Sequence, residues 1–249
     1  MSGETPGVVL AGGSMTRLVS AIPIIAERTG RPVVLVGGLA VMCRLTNPYR
    51  ATTDLDTVDR RTASERSQLE LLVSTGATPS GPSGVLVRTA HGEVQVDVLE
   101  VTDAEVDDLP DDPTDRLHVQ AHAWAASTAS GLVLKAEGLP PLTVRVSEPG
   151  PIIAMKLQSI MNRGSVKEGT DLLDIVRITL DRNCGPVSRD QLEKAGDQLR
   201  ADTLLHAVRW FDQAVDRSLR KIQAVPESGD IELEDLQLVG ELLVTALEG

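Results

Sequence analysis

The feature that most constrains this chain is a change of hydrophobic period near residue 149. Before it, short apolar runs with period two alternate with amphipathic stretches of helical period. Residues 33 to 36 (VVLV), 51 to 59 (ATTDLDTVD), 85 to 89 (VLVRT), 93 to 101 (EVQVDVLEV) and 142 to 148 (LTVRVSE) all read as strands. Residues 15 to 29, the run LAVMCRL after Gly38, and residues 63 to 74 read as helices, with Pro23 an awkward interior residue in the first. A turn at His91-Gly92 joins two of the strands into a hairpin, and the acidic, Pro-containing residues 103 to 116 read as an exposed loop. After Pro149-Gly150-Pro151 every apolar run has helical period. The expectation is an α/β (α+β) core with a mixed sheet over residues 1–149, and an all-α C-terminal part over residues 150–249.

Phe, Trp and Tyr make up 2% of the 249 residues, so the core must be built from Leu, Val, Ile and Ala. The same scarcity argues against aromatic platforms for single-stranded nucleic acid. A net charge of -12 is the wrong sign for coating nucleic acid, so any RNA would be held at a focused site. Cys43 and Cys184 have no CxxC spacing and make neither a zinc site nor an expected disulfide. No N-terminal run resembles a signal peptide, and no apolar stretch approaches the ~18 residues of a membrane span. These readings predict a cytoplasmic, reduced protein.

Chemistry concentrates in residues 36 to 58, VGGLAVMCRLTNPYRATTDLDTV. Asp54 and Asp56 are two apart on a strand, so both point to one face. Like charges that close raise one another's pKa, and a cation between them removes the penalty. Gly37-Gly38 follow a strand and precede a helix, where backbone N–H groups can approach a phosphate. In the later hairpin, Val94, Val96 and Val98 share one face, and Glu93, Gln95, Asp97 and Leu99 share the other. Asp97 can therefore be aimed at the side occupied by the first pair. Three carboxylates on neighbouring strands can hold Mg²⁺, as many as two ions, together with substrate phosphates. Plainer explanations exist: a tight turn for the glycines, a solvated strand edge for Asp54 and Asp56, an ordinary hairpin acid for Asp97.

The pattern GG…RATTDLD resembles motif I of the polymerase-β-type nucleotidyltransferase superfamily. It is most similar to the AbiEii/MenT-like branch, the toxins of type IV toxin–antitoxin pairs. The branch's Arg-x-Thr-x-Asp-x-Asp reads here Arg50, Thr52, Asp54 and Asp56. Its later Lys-Leu, Arg and Asp-x-x-Asp pattern reads Lys156, Arg163, Asp171 and Asp174 within AMKLQSIMNRGSVKEGTDLLDI. Fifteen residues separate Gly38 from Asp54, and GSVKEGT lengthens the Lys-to-Asp spacing, which leaves both Asp171 and Asp174 as candidates.

The resemblance implies a Mg²⁺-dependent nucleotidyltransferase that moves a nucleoside monophosphate from an NTP to an acceptor hydroxyl. The leading acceptor is the 3′ end of tRNA, the consequence is toxicity, and a cognate antitoxin is the expected partner. It implies metal ligation by Asp54, Asp56 and Asp97, and nucleotide binding by Gly37, Gly38, Arg50, Thr52 and Lys156. It also implies a contribution to the site, as a base, from Asp171 or Asp174. Lys156 stands alone in an apolar helical run, where a charge needs a partner or a phosphate. Snorkelling of Lys156 to water, and a first-turn helix position for Asp171, are the plainer alternatives. The acidic net charge keeps open a small-molecule (aminoglycoside-type) or protein acceptor. A catalytically silent binding module of the same fold is the reading from another class.

Three features carry little. LAGGSMTRL (residues 10 to 18) resembles the signature of sugar-phosphate nucleotidyltransferases, but Met15 stands where a third glycine is needed. His118 and His122 are i, i+4 without the glutamate of an HExxH pattern. No Ser-His-Asp arrangement can be argued.

Overall fold

In a computed structural model of the protein, which describes residues 5–162 and 165–249, the chain forms a mixed eight-stranded sheet and many helices. The strands are β1 (Gly7–Leu10), β2 (Val34–Leu35), β3 (Asp54–Arg61), β4 (Thr78–Pro79), β5 (Gly84–Thr89), β6 (Gly92–Thr102), β7 (Ser130–Ala136) and β8 (Leu142–Val146). The helices are α1 (Gly13–Thr29), α2 (Gly37–Arg44), α3 (Gln68–Ser74), α4 (Asp103–Asp107), α5 (Pro113–Thr128), α6 (Pro149–Asn162), α7 (Ser165–Leu180), α8 (Cys184–Glu193), α9 (Asp197–Val208), α10 (Val215–Gln223) and α11 (Leu233–Glu248). A π-helical turn, Arg209–Gln213, joins α9 to α10.

The chain divides into two compact units. One comprises Met1–Cys43, Arg50–Asp108 and His122–Ser147; the other comprises Arg44–Tyr49, Leu109–Ala121 and Glu148–Gly249.

The first unit carries the sheet, in the order β1-β7-β8-β2-β3-β6-β5-β4. β3 runs parallel to β6 and antiparallel to β2, and β5 closes an antiparallel hairpin on β6. The alternation read in β6 is present: Val94, Val96 and Val98 are buried while Gln95, Asp97 and Leu99 are half-buried on the other face. Each such valine contributes up to about 1.5–3 kcal/mol of burial. α1 packs on β5, β6 and β7 with Leu18, Ile22 and Ile25 buried, and it accommodates Pro23 within its length. It stops at Gly30, whose φ of 65° is left-handed.

Two expectations are corrected here. The helix expected over residues 63 to 74 begins only at Gln68, because Ser67 and Glu70 form a reciprocal capping box that sets its start. The loop expected over residues 103 to 116 is α4 and the first turn of α5: Thr102 and Glu105 cap the former, and Asp112 accepts from the N–H groups of Thr114 and Asp115 at the latter.

The second unit is helical. α7 packs on α6, α8, α10 and α11, and both α6 and α7 are buried on nearly every side. Ile152, Ile153, Leu157, Leu172, Leu173, Ile175 and Val176 form its centre. The short segment Arg44–Tyr49 is tied in by Thr46, which donates from its N–H and hydroxyl to Asp181, and by an Arg44–Glu148 ion pair at 2.9 Å. The N-terminal part of α5 is tied in by a bidentate Arg116–Asp202 pair, both contacts at 2.7 Å.

Candidate functional site

The parallel register of β3 and β6 sets Asp54 beside Gln95 and Asp56 beside Asp97. All four residues have the same parity, so they occupy one face of the sheet. Ligand oxygens of Asp54, Asp56 and Asp97 lie within 4.8 Å of one another. At that separation each pair of ionised carboxylates repels by roughly 1 to 3 kcal/mol, between bulk-water and protein-surface screening.

Neutral donors orient the three acids. The Thr52 hydroxyl donates to Asp54 Oδ1 at 2.9 Å, the Gly38 N–H to Asp56 Oδ2 at 3.4 Å, and the Gln95 amide to Asp97 Oδ1 at 2.7 Å. These bonds help fix where the carboxylates point.

The glycines are there for space and backbone shape. Gly37 opens α2 with φ +61°, and a Cβ on it would lie 1.9 Å from Asp56 Oδ2. A Cβ on Gly38 would lie 2.8 Å from Thr52 Oγ1 and 3.1 Å from Arg50 Nη2. Gly37-Gly38 therefore lets the N-terminus of α2 close onto the acidic face, and it brings Arg50 and Thr52 beside the same turn. On the other flank a Cβ on Gly84 would lie 2.7 Å from Asp97 Oδ1.

Gly84 and Gln95 are the residues that sequence reasoning missed. The signal was available: a hairpin turning at His91-Gly92 pairs Gly84 with Asp97.

The donor set fits a hard divalent cation. Every candidate ligand is a carboxylate oxygen, there is no sulfur or imidazole in the cluster, and two glycines keep its flanks clear. Asp54, Asp56 and Asp97 would hold the ion.

Lys156, Asp171 and Asp174 lie in the helical unit, on α6 and α7. Lys156 Nζ is 2.7 Å from Asp171 Oδ1 and 2.6 Å from Asp174 Oδ2. Ser159 donates to the other oxygen of Asp171 at 3.0 Å, and the Tyr49 hydroxyl donates to Asp174 Oδ1. Arg177 stacks over the Tyr49 ring at 5.5 Å. Lys156 and both aspartates are buried. Burial alone would pull the ammonium pKa down; the two aspartates outweigh it, so the pKa is raised and Lys156 keeps its charge.

The snorkelling alternative for Lys156 is therefore corrected: its head is enclosed and paired, because α6 is covered on all sides there. The first-turn alternative for Asp171 is corrected as well, since α7 begins at Ser165, a turn and a half earlier. Arg163 lies outside the described residues.

The remaining features place as follows. LAGG forms a strand, a turn at Gly12 (φ +91°) and the start of α1, with open space around both glycines. His118 and His122 lie on α5, and the acidic triad is the one metal-capable cluster among the described residues. Cys43 and Cys184 are buried and form no disulfide. Burial, followed by the neighbouring Asp181, pushes the Cys184 thiol up to about 12, and its Sγ donates to the Arg44 carbonyl. Among the described residues no helix is long and apolar enough to cross a membrane.

No family model matches the chain, and no curated protein matches it significantly. Among solved structures it is similar to the crystal structure of an antigenic nucleotidyltransferase-like protein from Paracoccidioides brasiliensis. The two share 20% identity over 85% of this chain and 94% of that chain, with a TM-score of 0.47.

Proposed function

We propose that the acidic face of β3 and β6 is the metal and nucleotide site of a nucleotidyltransferase. It moves a nucleoside monophosphate from an NTP to an acceptor hydroxyl and releases pyrophosphate. The observation that carries this reading is the convergence of Asp54, Asp56 and Asp97 within 4.8 Å, beside a glycine turn that opens α2. Mg²⁺ bound there would neutralise the triphosphate and favour ionisation of the attacking hydroxyl.

The chain's own residues do the rest. Asp54, Asp56 and Asp97 hold the ion. Thr52, Gly38 and Gln95 orient them. Arg50, beside Gly38, is placed to pair with a phosphate, as a guanidinium does in bidentate fashion. For Lys156, Asp171 and Asp174 the resemblance implies a phosphate contact and a base; within the helical unit the two aspartates keep the buried ammonium charged.

The acceptor in this proposal is RNA, with the 3′ end of tRNA foremost. The protein would act as an AbiEii/MenT-like toxin under a cognate antitoxin in the cytoplasm. The resemblance supports that part, and the net charge of -12 works against it.

The test is incubation with Mg²⁺, each labelled NTP in turn and total RNA, beside an Asp54→Ala, Asp56→Ala variant. Label in a tRNA-sized band with wild type alone supports the whole reading. Label on protein moves the acceptor to a protein. Turnover of NTP with neither product points to a small molecule. No turnover and no thermal stabilisation by any NTP with Mg²⁺ overturns the enzyme reading in favour of a silent binding module.

A further inference from the structure

At the acidic end of the face where β3 and β6 lie side by side, four side chains form two lateral pairs, and one of them is not an acid. Asp54 and Gln95 are one lateral pair and Asp56 and Asp97 the next, so a carboxamide occupies the fourth corner. An ionised carboxylate only accepts, so the Gln95 atom 2.7 Å from Asp97 Oδ1 is its amide nitrogen, on chemical grounds. The same nitrogen reaches the Ser80 carbonyl at 3.5 Å. Among the described residues, this is the one hydrogen bond that the Asp97 carboxylate makes. Gly84 faces Asp97 across the hairpin, and a Cβ there would lie 2.3 Å from Gln95 Nε2, so the amide and the carboxylate fill the space a side chain would take.

Asp97 has reason to move. It shares a face with two other carboxylates, and their repulsion favours any rotamer that takes it away from them. A neutral donor on its own strand opposes that without adding a charge. A lysine at the same corner would pair with the acids and compete with an incoming cation; a glutamate would add a fourth repelling carboxylate.

We propose that Gln95 is the positioning residue of this site. It commits one oxygen of Asp97, keeps that carboxyl beside Asp54 and Asp56, and leaves the second oxygen for a divalent cation. The inference rests on the metal-site reading above and assigns to it a residue outside the acidic triad. Partners that orient a ligand in this way are worth about 10- to 100-fold in metal affinity.

The experiment is a double-mutant cycle with Mn²⁺ as the probe, its affinity read from the EPR signal of the free ion. Gln95→Met keeps the length of the side chain and removes the donor. It should weaken Mn²⁺ binding about tenfold or more with Asp97 present, and have no further effect in an Asp97→Ala background. Gly84→Ala, which pushes a methyl into the amide, should copy the loss. Thermal unfolding in EDTA should show each variant folded.

Wild-type affinity in Gln95→Met, with binding lost in Asp54→Ala, Asp56→Ala, overturns the role of Gln95 and leaves the metal site standing. An equal loss with and without Asp97 overturns it too, because Gln95 would then act through the fold and not through that ligand. Failure of the wild-type protein to bind Mn²⁺ at millimolar concentration overturns the metal site and this inference together.

Discussion

Replacing Lys156 with methionine tests the account of the helical unit most severely. The ammonium is enclosed and touches Asp171 and Asp174 at 2.7 and 2.6 Å. Methionine keeps the stem and removes the charge, which leaves two buried carboxylates facing the same small space. Removing one partner of a buried ion pair costs about 3–5 kcal/mol. Tm falls by roughly 2–4 °C per kcal/mol in a chain of this size, which gives a drop of about 6–20 °C.

The pH dependence is the sharper signature. In wild type the pKa of Lys156 is raised, so its contribution is fully present below the unfolded value near ~10.4 and is lost only as pH climbs through the folded one. Between about pH 5 and pH 8 it is flat. In the variant, repulsion and burial make one aspartate hold its proton in the folded state. The folded state then binds more protons than the unfolded one, and stability falls as pH rises, by up to about 1.4 kcal/mol per pH unit.

Urea unfolding of both proteins across that range measures the gap, which should widen with pH. A Lys156→Met, Asp171→Asn, Asp174→Asn variant, with all three charges gone together, should regain part of the loss. If Lys156→Met stays within about 1 kcal/mol of wild type at every pH, the cluster is not a buried ion network and the reasoning fails.

Two further outcomes follow from the geometry. Gly37→Ala and Gly30→Ala both place a side chain at left-handed φ, +61° and +65°, but only Gly37 has a carboxylate where the Cβ must go. Gly30→Ala should cost about 1–2 kcal/mol of backbone strain, and Gly37→Ala clearly more, with Mn²⁺ affinity lost in Gly37→Ala alone; equal costs and unchanged Mn²⁺ binding in both would contradict the close approach of α2 to Asp56. With Cys43 buried and the Cys184 thiol pushed up to about 12, neither cysteine should react with a disulfide reagent in the native state at mildly alkaline pH, and both should react in denaturant. Because the folded thiol holds its proton beyond the unfolded value, stability should decline as pH rises from about 9; fast reaction of a native thiol would contradict its burial.

Much of the acidic face was legible because strand parity is a strong rule. Asp54 and Asp56 two apart, and Asp97 on the polar face of an alternating hairpin, need only the period of a strand to share a side. What parity could not supply was the register between β3 and β6, which are parallel and separated by α3 and a hairpin; no local pattern sets Asp56 against Asp97 and not against its neighbour. α4 and the start of α5 were lost to composition: Asp and Pro read as loop, although Thr102-x-x-Glu105 and Asp112-Pro113 are helix-start signals hidden in it. The partners of Lys156 were invisible for a different reason. They lie 15 and 18 positions away on another helix, and periodicity on α6 can say only that a charge there is out of place.

The chain treats its two groups of convergent acids in opposite ways, and the contrast bears on function. Around Asp171 and Asp174 the protein supplies its own cation, seals it from water and adds the hydroxyls of Ser159 and Tyr49, so the charge is settled when the unit folds. At Asp54, Asp56 and Asp97 the acids are half-buried, a hydroxyl, a backbone N–H and an amide help orient them, and two glycines keep the flanks open. Half-buried carboxylates with open flanks stay within reach of an ion that arrives later. A mutation that merely destabilised the sheet would affect both stability and ion binding. Gln95→Met separates the two, because it leaves the valine face of β6 untouched and removes the amide that holds one oxygen of Asp97.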